Sequence, residues 1–234
     1  MSIFRGWQKV SYIDYPARIA TLLFVGGCNF RCPYCQNPEL VREWQGLPLI
    51  EENAVREFLL NRKTFIDAVC ISGGEPLLHF EELLPFLRWV KKEGFLVKVD
   101  TNGSFPARVE DLEKEGLVDY WAIDFKLLPE NYSLVAPPDL KKKVLETLEM
   151  ALNFPLHKVE FRTTIYPPFH NSKILEEMAQ YLREAPLWYW QNFQNQKTLS
   201  PEAQKVAPYP IETLKAWAKE INSKLERELA FVRE

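Results

Sequence analysis

Only four cysteines and three histidines occur in 234 residues, and no apolar run reaches the roughly 18 residues of a membrane-spanning helix. The opening Met1-Ser2-Ile3-Phe4-Arg5-Gly6 lacks the apolar stretch of a signal peptide, so a cytoplasmic protein is expected, one whose thiols stay reduced. An excess of charge is missing too: the formal net charge is -3, which leaves no electrostatic footprint for nucleic acid. His79, His157 and His170 are too scattered to suggest a metal site. With 47% hydrophobic and 26% charged residues the composition is that of a soluble globular protein, and the length fits one α/β domain better than two.

What is there is concentrated. Three of the four cysteines fall within Gly26-Gly27-Cys28-Asn29-Phe30-Arg31-Cys32-Pro33-Tyr34-Cys35-Gln36-Asn37. A disulfide framework wants an even count, and a structural zinc site wants four ligands, usually as two separated pairs. Three close thiolates, Cys28, Cys32 and Cys35, suit a single [4Fe–4S] cluster with three irons tied to protein and one left open. A zinc knuckle or a chance group of buried thiols is the competing reading, and it lacks a fourth ligand nearby. Cys70, in the apolar run Ala68-Val69-Cys70-Ile71, reads as a small core hydrophobe. One spare thiol cannot hold a second cluster, so electrons have to come from outside the chain.

The chain alternates short β-branched or aromatic runs with longer amphipathic ones, the pattern of parallel βαβ units. Strands are expected at 19–25, 66–72, 95–100, 120–125, 159–165 and 187–193, and helices at 50–60, 80–93, 109–115, 140–152 and 172–183. Gly94 and Gly116 stand where helix stops belong, and Asp139 where a helix cap belongs. Residues 194–210, with Pro201, Pro208 and Pro210, read as a long loop before a helix whose apolar stripe runs from Ile211 to Leu225. The expected fold is thus α/β, a barrel core over about 17–193 with a C-terminal loop and helix, in one domain over 1–234. Six βα units fall short of the eight that close a barrel.

Polar residues gather at the ends of these strands, where parallel barrels keep their sites. Ser72-Gly73-Gly74-Glu75-Pro76 follows the second, its two glycines giving a ligand access to backbone and Glu75 adding a carboxylate. Asp100, Thr101 and Asn102 end the third; Asp124 and Lys126, two apart and so on one face, end the fourth; Arg162 lies on the fifth and Gln191-Asn192 on the sixth. Buried strands rarely carry such charges unless they are paired, so a structural ion-pair network is the alternative to a binding site.

The cysteine spacing, with Tyr34 just before the last cysteine, resembles that of the radical S-adenosylmethionine (SAM) superfamily. Ser11-Tyr12-Ile13-Asp14-Tyr15-Pro16, the cysteine loop, Ser72-Gly73-Gly74-Glu75-Pro76-Leu77-Leu78, Asp100-Thr101-Asn102-Gly103 and Arg162-Thr163-Thr164 together look like the glycyl-radical-enzyme activases, above all the activating proteins of anaerobic ribonucleoside-triphosphate reductase. The resemblance runs from about Ile3 to Phe193. It implies a partial (βα)6 TIM-type barrel, a cluster on Cys28, Cys32 and Cys35, and SAM as co-substrate. It also implies SAM contacts from Tyr34, Gln36, Gly73, Gly74, Glu75, Asp100, Thr101, Asn102, Asp124, Lys126 and Arg162, with a monovalent cation near Asp100 and Asp124. The implied partners are a glycyl radical enzyme and a flavodoxin or ferredoxin as electron donor, with neither nucleic acid nor membrane. A radical SAM enzyme acting on a small molecule such as a deazapurine precursor shares these residues and is the alternative. Two positions depart from the family pattern: Gln36 replaces the usual His, and Ala17 replaces the Gly that commonly follows Asp-Tyr-Pro.

Overall fold

The computed structural model describes residues 2–233. Packing divides the chain into two compact units, one of Met1–Asn29, Glu39–Thr101 and Ala107–Trp121, the other of Phe30–Pro38, Asn102–Pro106 and Ala122–Glu234.

In the first unit β1 (Phe4–Ser11) runs antiparallel to β2 (Ala20–Val25), which pairs in parallel with β3 (Ala68–Gly73), itself parallel to β4 (Leu96–Thr101). β2 and β3 are mostly apolar, as strands covered on both faces are. Cys70, fully buried, packs with Tyr15, Ala20, Leu22, Ala68 and Tyr120, as expected of a core hydrophobe. The helices α1 (Pro38–Arg42), α2 (Glu52–Asn61), α3 (Phe80–Lys92) and α4 (Pro106–Lys114) join or follow these strands. α3 buries Leu83, Phe86, Leu87 and Val90, and Gly94 at φ 85 ends it, the Phe95 N–H returning to the Val90 carbonyl at 3.2 Å.

β5 (Tyr120–Asp124) leads into the second unit, which continues with α5 (Leu140–Leu152), β6 (Val159–Ile165), α6 (Ser172–Tyr181), β7 (Trp188–Asn192), α7 (Ile211–Leu225) and β8 (Ala230–Arg233). β6, β7 and β8 pair in parallel. Within each unit the strands lie side by side in sequence order, β1 to β4 in the first and β6 to β8 in the second.

All six expected strands form, with ends shifted by one or two residues. The two outer strands, β1 and β8, were not expected. β1 carries Arg5, Gly6, Gln8 and Lys9 and has two register shifts, so it lacks the clean alternation that marks a strand. β8 has four residues and is held by a side chain from α7: Asn222 accepts from the Leu229 and Ala230 N–H groups at 3.0 and 2.8 Å and donates to the Ala230 carbonyl at 2.9 Å. Asp139 makes no side-chain cap at the start of α5; its backbone is already helical, which turns the carboxylate away from the first N–H groups. Ala17, where the family pattern has glycine, sits at φ 56, a left-handed conformation that costs a residue with a Cβ about 1–2 kcal/mol.

Candidate active site

The approach to the cysteine loop in the first unit is a run of carbonyls with no freedom left. Val25 O accepts from the Gly74 N–H, Gly26 O from His79 Nε2 and Gly27 O from the Glu75 N–H, each at 2.8 Å. Three consecutive carbonyls directly before Cys28 are thus held by one segment, Gly74–His79. The glycines make this possible. A Cβ on Gly74 would stand 1.8 Å from the Gly27 oxygen, and one on Gly73, at φ 113, would stand 2.5 Å from the Val25 nitrogen. Sequence reasoning assigned the glycine pair to a ligand's approach; the space is taken first by the protein's own backbone.

Glu75 is completely buried, and its Oε1 accepts from the Leu77 N–H at 3.1 Å and from Thr101 Oγ1 at 2.8 Å. The ends of β3 and β4 are joined through that carboxylate. Asp100 is paired with Lys98 at 2.6 Å, both nearly excluded from solvent. Lys98 went unnoticed in the sequence, although its two-residue offset from Asp100 is the same signal that singled out Asp124 and Lys126. His79 was missed as well, because a bond 53 residues back along the chain leaves no local trace.

The second unit holds Cys32, Tyr34, Cys35, Gln36, Asn102, Asp124, Lys126 and Arg162. Lys126 Nζ lies 2.7 Å from Asp124 Oδ2, and Arg162 Nε 3.4 Å from Asp124 Oδ1. Burial pushes the Cys32 thiol up to about 11, and Lys126 is the strongest influence in the opposite direction. Burial alone would lower the Lys126 ammonium, but the Asp124 carboxylate outweighs it and holds the group well above the ordinary lysine value. Tyr34 packs against Tyr166 and Phe169 with ring centroids 5.2 and 6.0 Å away. Its hydroxyl is buried and close enough to act on Cys32, yet makes no well-formed hydrogen bond.

Asn102 spends its Oδ1 on the Ser104 N–H at 2.9 Å, and Gln36 is exposed, with one long contact of 3.5 Å to the Gln194 carbonyl. A further pair escaped the sequence reading: Glu160, fully buried on β6, meets Arg233 of β8 at 2.7 Å, and that guanidinium lies 3.9 Å over the Tyr189 ring. The ion-pair reading of the strand-end charges is realised in part, since Asp100 and Asp124 each have a basic partner. The cation expected near Asp100 and Asp124 would have to compete with the lysine ammonium already on each carboxylate.

The residues present fit the [4Fe–4S] cluster and SAM that the family resemblance implies. None of the four cysteines is in a disulfide. The three in the loop offer only soft sulfur donors, which suit iron–sulfur chemistry. The buried Tyr34 hydroxyl, which makes no well-formed hydrogen bond, and the Lys126 and Arg162 side chains are donors suited to an anionic ligand such as a carboxylate. Among the described residues no helix is long and apolar enough to cross a membrane.

Behind the site His170 is buried and bridges two strand ends. Its Nδ1 accepts from the Tyr166 N–H at 3.0 Å, so Nε2 carries the proton and donates to the Lys126 carbonyl at 2.9 Å. Burial lowers its pKa from 6.5 to about 4. The unfolded chain therefore binds more protons than the folded one between those values, and stability falls as the pH drops from about 6.5 to about 4, by on the order of 3 kcal/mol in all. Thermal melts across that range should show the decline, and His170→Gln should flatten it; equal slopes for the two proteins would contradict this account.

Residues 22–185 match the family model described as the radical SAM superfamily. A protein of Methanocaldococcus jannaschii named for glycyl-radical enzyme activation is 34% identical over 88% of this chain and 86% of its own. The pyruvate formate-lyase-activating enzyme of Clostridium pasteurianum is 29% identical over 71% and 69%, and the 7-carboxy-7-deazaguanine synthase of Aquifex aeolicus 27% over 68% and 73%. Among solved structures, Streptococcus suis SuiB superposes with a TM-score of 0.63 at 16% identity, over 89% of this chain and 47% of its own, a likeness of fold alone. Three cysteines close together in the sequence, a family match across most of the chain and a relative at this identity lead to one conclusion: the protein belongs to the radical SAM superfamily.

Proposed function

We propose that this radical SAM enzyme installs a glycyl radical on a partner enzyme, and that the partner is anaerobic ribonucleoside-triphosphate reductase. The observation that carries the activase reading is the similarity, along nearly the whole of both chains, to a relative named for that activity. The choice of reductase rests on the motif set around Asp14-Tyr15-Pro16, Asp100-Thr101-Asn102-Gly103 and Arg162-Thr163-Thr164.

When bound, the cluster and SAM would supply one-electron reductive chemistry able to remove a hydrogen atom from a glycine Cα of the partner. The chain's own part is positional. Cys28, Cys32 and Cys35 hold the cluster. The backbone of Gly73 and Gly74, with Glu75 behind it, receives the amino group of SAM's methionine, while Lys126 and Arg162 receive its carboxylate. Asp100, Thr101 and Asn102 serve the ribose, and Tyr34 and Gln36 flank the adenine. Gln36 keeps a hydrogen-bonding side chain there without a titratable group. The electron donor is a flavodoxin or ferredoxin, because the remaining thiol, Cys70, is buried in an apolar cluster.

Electron paramagnetic resonance decides the matter. Anaerobically reconstituted protein, SAM, reductant and the organism's own anaerobic reductase should develop a glycyl radical signal on the reductase. SAM cleavage with no signal there, but with a signal on another glycyl radical enzyme, would replace the partner. Cleavage without a signal on any of them would turn the reading toward a small-molecule substrate, which the similarity to a deazaguanine synthase favours.

A further inference from the structure

We propose that His79 is a positioning residue that locks the cysteine loop to the Gly73–Glu75 turn, so that the anchor of Cys28 and the turn assigned to SAM move as one piece. Of the three bonds made by the Gly74–His79 segment to the carbonyls of Val25, Gly26 and Gly27, two come from backbone N–H groups and one from a side chain, that of His79, at 2.8 Å to Gly26 O. The acceptor is a carbonyl, so Nε2 carries the proton.

The ring is itself held. Trp44 meets it edge to face at 5.2 Å, and the Arg5 guanidinium lies 5.1 Å from the Trp44 ring while its Nε donates to the Trp44 carbonyl at 3.0 Å. The same indole closes over the glycines: a Cβ on Gly26 would come within 2.6 Å of Trp44. The Gly27 N–H is taken by the Leu40 carbonyl at 2.8 Å and the Gly26 N–H by that of Ile3 at 3.1 Å. The backbone from Val25 to Gly27 is therefore bonded on every side, and removing the imidazole opens the one restraint that a side-chain substitution can reach. Gly26 is two residues from Cys28, and a buried carbonyl left without its donor seeks water, which brings solvent to the loop.

This inference rests on the cluster assignment and on the SAM role proposed for Gly73–Glu75, and its test reads neither SAM cleavage nor a glycyl radical. His79→Ala and His79→Gln are compared with the wild type in two measurements. The first is amide hydrogen exchange in the segment 24–30 of the apo protein. The second is the rate at which a chelator strips iron from the reconstituted protein. Loss of one hydrogen bond predicts exchange and stripping about tenfold faster in His79→Ala. His79→Gln, whose amide restores a donor, should stay within about twofold of wild type. Wild-type rates in His79→Ala would overturn the proposal. So would a His79→Gln variant as fast as His79→Ala, because packing rather than the bond would then be what matters. Should His79→Ala fail to fold, His79→Phe, which keeps a ring against Trp44 and has no donor, takes its place: it must be about tenfold faster than wild type while His79→Gln stays near it, and wild-type rates in His79→Phe would overturn the proposal.

Discussion

Replacing Cys32 by alanine is expected to leave a folded protein that retains no cluster and cleaves no SAM. Cys32 is buried, and alanine keeps the apolar contact of its Cβ while removing one sulfur. Folding should suffer little, since the neutral thiol in the apo protein gains no ion pair, burial having pushed it to about 11. Cluster binding should suffer completely: with three ligands in the loop there is no substitute, Cys70 being held in the core of the first unit among Tyr15, Ala20 and Leu22. The measurements are iron and sulfide per chain after anaerobic reconstitution, and 5′-deoxyadenosine formed under reductant. Iron at the wild-type level would mean that the ligands are misassigned. Cys70→Ala is the control, and it should keep its iron.

The second large effect is steric. Gly74→Ala places a Cβ 1.8 Å from the Gly27 carbonyl oxygen and 3.2 Å from that of Val25. Both obstacles are backbone, so no rotamer change relieves the clash; either the turn after β3 or the loop before Cys28 has to move. Moving either breaks the Glu75 N–H bond to Gly27 O and the Gly74 N–H bond to Val25 O. Two buried hydrogen bonds and local overpacking together amount to roughly 3–5 kcal/mol, a large share of a domain's stability. A melting temperature lowered by about 10 °C or more, with poor cluster retention, is the expected result. A substitution that left both unchanged would show that the turn yields freely. Gly46→Ala, at a position with nothing within 4 Å of an added Cβ, controls for the substitution itself.

Much of this was open to reading from the chain. The apolar runs of β2, β3 and β5 declared buried strands, because strands covered on both faces read as near-continuous apolar stretches. The stop at Gly94 and the stripe of α7 followed from local rules for the same reason: helix ends and faces depend on residues three or four apart. The cysteine spacing, and the polar residues at each strand end, named the candidate site before any contact was visible. What stayed hidden was held together over long separations. β1 and β8 owe their form to neighbouring strands and to Asn222, and Arg233 declares itself only when it meets Glu160, 73 residues earlier. Lys98 differs from these, for its two-residue offset from Asp100 is a local signal that places both on one face of β4.

The boundary between the two kinds of knowledge follows the range of the forces. Donor type and spacing are properties of neighbours along the chain, so three thiolates, a glycine pair and a set of strand-end charges could be read from the order of residues. Which group holds which is decided by approach in space. Only the tertiary structure assigns the glycine pair's missing side chains to the backbone of Val25 and Gly27, Glu75 to Leu77 and Thr101, and His79 to Gly26 O. Those assignments depend on atoms brought within 3 Å or so by the packing of β2 against β3, and no order of residues states such a distance.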